Sequence, residues 1–256
     1  MFAKYCSAIL FCLIVTFSSL PQASAQREVN FIPELWGGFM TSGQIAPRLS
    51  LWLDTHFVPE LFLIGRGGLT FHSADQKWSF TAGYAALMLR TGFSDGRLVR
   101  PEHRPWGQIV YRLPPAGPFT SSLRYRHDMR YRAMLDGTEI LDEFQLNHRL
   151  RANFSMRYNF GRRLSPHFNT SISVLNESLW TVGPAFAENP YEHRIWPMLN
   201  IQHRAVTFSP GYHFRLSFPN PETLNVRSGF FLWVTINYDW RNFKRHFLRE
   251  FPTDHM

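Results

Sequence analysis

Residues 121–134 read SSLRYRHDMRYRAM, and the side-chain character changes at every step. Arg124, Arg126, Asp128, Arg130 and Arg132 share one parity, while Leu123, Tyr125, His127, Met129 and Tyr131 share the other. A period of two belongs to the β-strand, whose successive side chains point to opposite faces. One face of this strand is therefore ionic and the other is built from rings and thioether.

The rule extends outward. In EFQLNHRLRANFSMRYNF, residues 143–160, Phe144, Leu146, His148, Leu150, Ala152, Phe154, Met156, Tyr158 and Phe160 are mostly apolar, and the residues between them are polar, Arg149, Arg151 and Arg157 included. Ten runs of this kind are predicted as strands: 46–57, 61–72, 78–90, 102–113, 119–133, 143–160, 167–180, 192–202, 205–218 and 226–240. From residue 90 onward the links between them alternate between long (TGFSDGRLVRP) and short (PPAGP), as tight turns on one rim and loops on the other require. This pattern predicts an all-β fold, an up-and-down antiparallel transmembrane β-barrel of about ten strands, with twelve as the second option. A ten-stranded barrel brings both chain ends to one rim. Residues 26–45 are a lead-in, a plug or an extra strand; 46–240 are the barrel.

Which face is inside decides the class. A soluble periplasmic barrel or sandwich puts bulky apolar groups inside and Lys or Glu outside. Here the polar parity is Arg, Asn, Gln and Ser. Between residues 102 and 160 the apolar parity carries His103, His127 and His148 but no Arg, Lys, Asp or Glu. A lipid-facing Arg near the bilayer centre costs about 2–4 kcal/mol, so this parity suits lipid and the arginines belong in a polar lumen.

The N-terminus agrees. Lys4, the apolar run AILFCLIVTF and the small-residue pattern ASAQ form a secretory signal over residues 1–25, cut after Ala25. Both cysteines, Cys6 and Cys12, leave with it, so no disulfide or thiol chemistry is expected in the mature chain. Of 27 basic residues only Lys4, Lys77 and Lys244 are lysines. Arginine is the residue of bidentate, partly desolvated pairing with carboxylates and phosphates. For an exported chain the expected partners are outer-membrane lipid and anionic small molecules, not nucleic acid. Residues 241–256 form a basic extension in which Phe243, Phe247 and Phe251 recur every four residues, which suits a short interfacial helix as well as a disordered tail.

From residue 61 to residue 239 the order of short motifs resembles a bacterial outer-membrane family, domain-of-unknown-function family 2490 (DUF2490). They are FTAGYAA, PEHRPWGQIVY, LRYRHDMRYR, RLRANFSMRY, VLNESLW, EHRIWPMLNI and SPGYHF. The resemblance implies a β-barrel of a Gram-negative outer membrane with no assigned activity.

The lumen face is the strongest candidate site. Hairpin pairing predicts Glu102 opposite Arg130, Arg104 opposite Asp128, and Glu177 opposite Arg149 or Arg151. Opposite charges facing one another favour such registers by about 0.2–1 kcal/mol each. Arg104, Arg112, Arg124, Arg126, Arg130, Arg132, Arg149, Arg151 and Arg157 outnumber Glu102, Asp128, Glu143 and Glu177 on this face by 9 − 4 = 5. Three roles are open: a salt-bridged plug, an anion-favouring pore, or a site for an acidic ligand. A lipid-modifying hydrolase or acyltransferase is the competing class. Its best cluster, His167, Asn169 and Ser171, lies on the lumen parity with about 7 Å between alternate residues, beyond nucleophile-to-base reach. No metal-ligand spacing and no cofactor motif is present, and no enzyme activity is expected. Finally, a turn at His203 and Arg204 sets Pro197 across from Pro210, a seam lacking two donors at one height.

Overall fold

Alternating runs of this length cannot remain as an open sheet without exposing edge donors and acceptors, and closure removes the edges. The structure, a computed structural model, describes residues 28–59, 61–90, 98–137, 139–184, 190–220 and 222–239; segments 1–25 and 241–256 lie outside them. The strands are β1 (Glu28–Pro33), β2 (Trp36–Ala46), β3 (Leu49–Val58), β4 (Phe62–His72), β5 (Trp78–Arg90), β6 (Val99–Arg112), β7 (Phe119–Asp136), β8 (Glu139–Gly161), β9 (Asn169–Val182), β10 (Tyr191–His203), β11 (Val206–Asn220) and β12 (Thr223–Asp239). From β2 to β12 each strand pairs antiparallel with its chain neighbour, and the sheet closes where β12 lies parallel to β2. The result is an all-β, eleven-stranded closed barrel with β1 as one extra strand on the same edge of β12.

All ten predicted runs overlap β3 to β12, and residues 28–46 supply the other two strands. β1 and β2 act as one strand with a break at Glu34 and Leu35. Pro33 faces Ser228 and, three residues on in both chains, Trp36 faces Phe231. Two expectations are corrected here. An odd number of strands cannot alternate direction all the way round, so the first and last run the same way. Glu28 consequently lies at the rim of the β11–β12 link while β12 ends at the other, and the two ends do not share a rim. The rim asymmetry is also weaker than expected. The segments MLDGTEILD and PNPETLN are mostly strand, since β7 and β8 run to Asp136 and from Glu139, and β11 and β12 to Asn220 and from Thr223.

The barrel is inverted relative to a soluble protein. Leu63, Phe80, Tyr84, Tyr125, Ile172, Trp180, Phe214 and Phe230 are exposed, whereas Asp54, Glu102, Arg126, Asp128, Arg130 and Glu177 are buried. On β7 the parity is the predicted one, with Leu123 and Tyr125 exposed and Arg126, Asp128 and Arg130 enclosed.

The break in the first strand depends on Gly229. Glu34 N–H donates to the Ser228 carbonyl at 2.9 Å, and a Cβ at Gly229 would collide with the Glu34 carbonyl oxygen. Gly37, by contrast, has open space where a Cβ would stand. Gly229→Ala is expected to lower stability to urea by about 1–3 kcal/mol, the usual cost of overpacking. Gly37→Ala is expected to stay within about 0.5 kcal/mol. Tryptophan emission during unfolding of the reconstituted protein measures both.

Candidate functional site

The lumen face of β6 to β12 carries a continuous belt of ion pairs. Glu102 on β6 accepts from Arg104 beside it and from two residues of β7, Arg130 at 2.7 and 3.1 Å and Arg132 at 2.7 Å. Asp128 pairs with Arg126 at 2.7 Å and with Arg151 of β8 at 2.9 Å. Glu177 on β9 receives Arg124 at 2.9 Å, reaching from β7, and lies 3.8 and 3.7 Å from Arg151 and Arg194. On β10, Glu192 holds Arg194 beside it and Arg215 of β11 at 2.7 Å. Arg215 continues to Glu34 at 3.0 Å, where Arg227 of β12 at 3.4 Å, His213 at 3.2 Å and the Trp36 indole N–H at 2.7 Å also meet. A separate pair, Arg66 to Asp54 at 2.6 Å, bridges β4 and β3.

Arginine is needed for this geometry. One planar guanidinium offers several N–H groups in fixed directions, so a single residue can serve two carboxylates on different strands. Arg151, Arg194 and Arg215 each do so. Arg149 is the exception. Its Nε donates to the Thr181 hydroxyl at 3.1 Å, and it makes no ion pair with any described residue. With Arg149 included, eleven guanidinium groups face six carboxylates in these clusters, an excess of 11 − 6 = 5.

Two apolar clusters share the lumen wall with buried polar residues such as Ser50, His56, Thr70, Thr81, Gln108 and Asn200. Trp36, Met40, Val58, Leu175, Trp196, Met198, Phe231 and Trp233 form one buried cluster, and Trp52, Ile64, Ala85, Leu87 and Trp106 form another. Between this wall and the arginines lies a cavity of about 260 Å³. Ten arginines line it against two carboxylates, Asp54 and Glu177. Asn153, 4% exposed, lines it with neither amide atom hydrogen-bonded, and Arg130 lines it with Nη1 unpartnered. The Arg126 guanidinium sits 4.1 Å from the Trp106 ring centroid, where the two walls meet.

Most sequence-predicted residues gather in this belt: Glu102, Arg104, Arg124, Arg126, Asp128, Arg130, Arg132, Arg149, Arg151 and Glu177. Arg112 stands apart, bonded to Gln76 and Ser79 near the β4–β5 link, and Arg157 and Glu143 lie outside the cavity lining. The registers differ from expectation. Glu102 faces Arg132 and Asp128 faces Trp106, a slip of two, because the hairpin centres near residue 117 and not 116. Glu177 faces Asn153. Its arginines reach it diagonally. Met198 faces Gly211, which sets the β10–β11 turn at Arg204 and Ala205, so Pro197 and Pro210 are not opposed.

Several members of the site were not anticipated. Glu192 and Arg194 share a parity in YEHRIW and could have been read as a lumen pair. Asp54 and Arg66 are cross-strand neighbours. Glu34 lies in a strand break and had no signal. The apolar wall had one, since in YAALML, residues 84–89, both parities are apolar.

The outer face carries hydroxyl and imidazole clusters. His127 Nε2 and His148 Nδ1 are 3.0 Å apart, and Tyr84 meets His103. Near the rim, the Ser178 hydroxyl lies 3.1 Å from His193 Nδ1 and 3.1 Å from the Tyr191 hydroxyl. His167 meets His203 through its backbone carbonyl, and the Ser171 hydroxyl accepts from Asn200.

A family model described as "Protein of unknown function (DUF2490)" matches residues 34–191. No curated protein and no solved structure matches the chain.

Removing a carboxylate from the belt strands its cations. Glu102→Gln removes the carboxylate that Arg104, Arg130 and Arg132 share, and a loss of about 3–5 kcal/mol is expected. Arg149→Gln removes a charge that has no ion pair and is expected to be neutral or stabilising. Urea unfolding of both variants in the same lipid checks the contrast.

Proposed function

The chain belongs to the DUF2490 family, and from that premise we propose that it is an outer-membrane β-barrel that holds a small acidic ligand in its lumen. The single observation that carries the reading is the cavity bounded by ten arginines and two carboxylates. Enclosed cations in excess of their counter-ions are costly, and an anion entering the cavity relieves that cost.

Membrane placement is supported by the inverted polarity. Rings and aliphatic chains face outward along every strand of the barrel, and the ionic residues are enclosed, as in bilayer-spanning barrels. β7 and β8, at 18 and 23 residues, exceed the roughly 9–11 that cross a bilayer and extend past it. An open pore has less support. Conduction needs a continuous polar path, whereas Trp36, Trp196, Phe231 and Trp233 stack against one another inside the wall. A solid plug is disfavoured by the cavity itself and by the unpaired Arg149.

Two measurements test this reading. Spin labels at Tyr125 and Phe154 in nanodiscs are expected to be broadened by a lipid-soluble relaxation agent and not by an aqueous one. In planar bilayers no steady ohmic current is expected, and an anion-selective conductance would replace the binding role with that of a channel.

A second reading, an envelope lipid-modifying enzyme, is favoured by the Ser178–His193 contact on the outer face near the rim. In such chemistry the imidazole takes the hydroxyl proton as the oxygen attacks an ester carbonyl. Among the described residues, no carboxylate or amide hydrogen-bonds the other nitrogen of His193 to orient it, which places this reading second. A fluorophosphonate probe that labels the wild type and not Ser178→Ala would promote it; no labelling is the expected outcome.

A further inference from the structure

The cavity is not uniformly cationic, and its two walls ask for different chemistry. One part of the lining is indole and aliphatic, Trp36, Trp52, Trp196 and Trp233 with Ile64 and Leu87, and Asp54, His56, Arg66 and Arg194 share its strands. The other ends in groups that the protein leaves without partners. Among the described residues Arg149 makes no ion pair, Arg130 keeps Nη1 unbonded, and Asn153 leaves its amide oxygen and amide nitrogen without hydrogen bonds on a side chain that is almost wholly buried. Buried polar atoms are nearly always hydrogen-bonded, so such a group facing a cavity marks where a partner from outside the chain belongs.

Neither a bare anion nor an apolar guest satisfies both walls. An inorganic anion reaches the guanidinium groups but leaves apolar surface against water. An apolar molecule covers the indoles but leaves the excess cations uncompensated. The volume sets the size. Roughly 150 Å³ holds a benzene ring, and ordinary small-molecule sites begin near 300 Å³, so about 260 Å³ admits one or two fused rings or a short alkyl chain with a compact head.

We propose that the lumen ligand is an amphipathic anion: an aryl or short alkyl body seated on the indole lining, with a carboxylate, sulfonate or phosphate head directed to Arg149 and Arg130. The proposal rests on the lumen-binding reading above and specifies its ligand class. Charge-assisted hydrogen bonds to the guanidinium groups fix the head, and burial of the body supplies affinity in proportion to the apolar area removed from water.

Isothermal titration calorimetry on the full chain in nanodiscs, with protein-free nanodiscs as the blank, tests it with three probes. Naphthalene-2-sulfonate carries both parts, sodium sulfate the head alone, and naphthalene-2-methanol the body alone. The sulfonate is expected to bind saturably with one site per chain, at least tenfold more tightly than either fragment. Arg149→Gln is expected to weaken the sulfonate about tenfold and leave the alcohol unchanged. Leu87→Ser is expected to weaken the sulfonate and leave sulfate unchanged, with native mobility on unheated gels confirming that both variants fold. Sulfate binding as tightly as the sulfonate would reduce the site to a plain anion site, overturning the amphiphile while leaving the lumen-binding reading in place. Equal binding of alcohol and sulfonate, or an Arg149→Gln variant that binds the sulfonate as wild type does, would overturn the role of the head group. No binding of any probe above the blank would overturn both readings.

Discussion

A guanidinium enclosed in a narrow barrel must find a carboxylate inside that barrel, and much of this lumen is arranged around that requirement. Enclosing a charge costs several kcal/mol unless it is paired and hydrogen-bonded. Six carboxylates therefore serve ten paired arginines, with Glu102 and Glu177 each forming ion pairs with three. Because arginines such as Arg124 and Arg215 reach carboxylates on non-adjacent elements, the belt braces the barrel laterally as well as neutralising it. The same reach makes it fragile: five of the six carboxylates are the counter-charge of two or three arginines at once.

The belt also reaches the closing seam. Glu34 sits where the first strand breaks, opposite Gly229 of β12, and there it collects Arg215, Arg227, His213 and the Trp36 indole. Parallel pairing of the first and last strands is the geometric consequence of an odd strand count, and parallel ladders are slightly weaker per residue. Anchoring the break with a buried carboxylate shared by β11 and β12 compensates at the point where closure is least regular. Fold and electrostatics meet in one residue.

Much of this was legible in the chain. Period-two alternation located β3 to β12, and the choice of Arg, Asn and Ser for one parity named the inner face. Registers were read less well, because a strand pairing is fixed by the centre of its turn, and one residue of error there moves every partner by two; Glu102 against Arg132 is an instance. The first strand escaped assignment because FIPELWGGFMTSG mixes Pro and Gly with aromatics on both parities and lacks the alternation that marks its neighbours. Glu34 had no strand context to be read in. Glu192 and Arg194 obeyed the rule already in use, but lay beyond the stretch over which the charges were counted.

The division of the lumen into an indole wall and an arginine wall bears on function more than either wall does alone. A barrel needing only rigidity gains by filling its interior: apolar side chains of matched volume replace buried ion pairs at no loss, and often with a gain, in stability. This chain has the apolar residues to do so, yet it leaves a cavity of about 260 Å³ beside them and gives Arg149 no ion pair with any described residue. A pore faces the opposite demand, a continuous polar path, and the buried cluster of Trp36, Trp196 and Trp233 works against one. On the proposed reading, an interior that forgoes the most stable filling and sets indoles beside arginines is matched by a guest with one apolar and one anionic end. On that reading the excess of arginine over carboxylate belongs to the unliganded barrel, and the proposed guest completes the pairing that the belt leaves open.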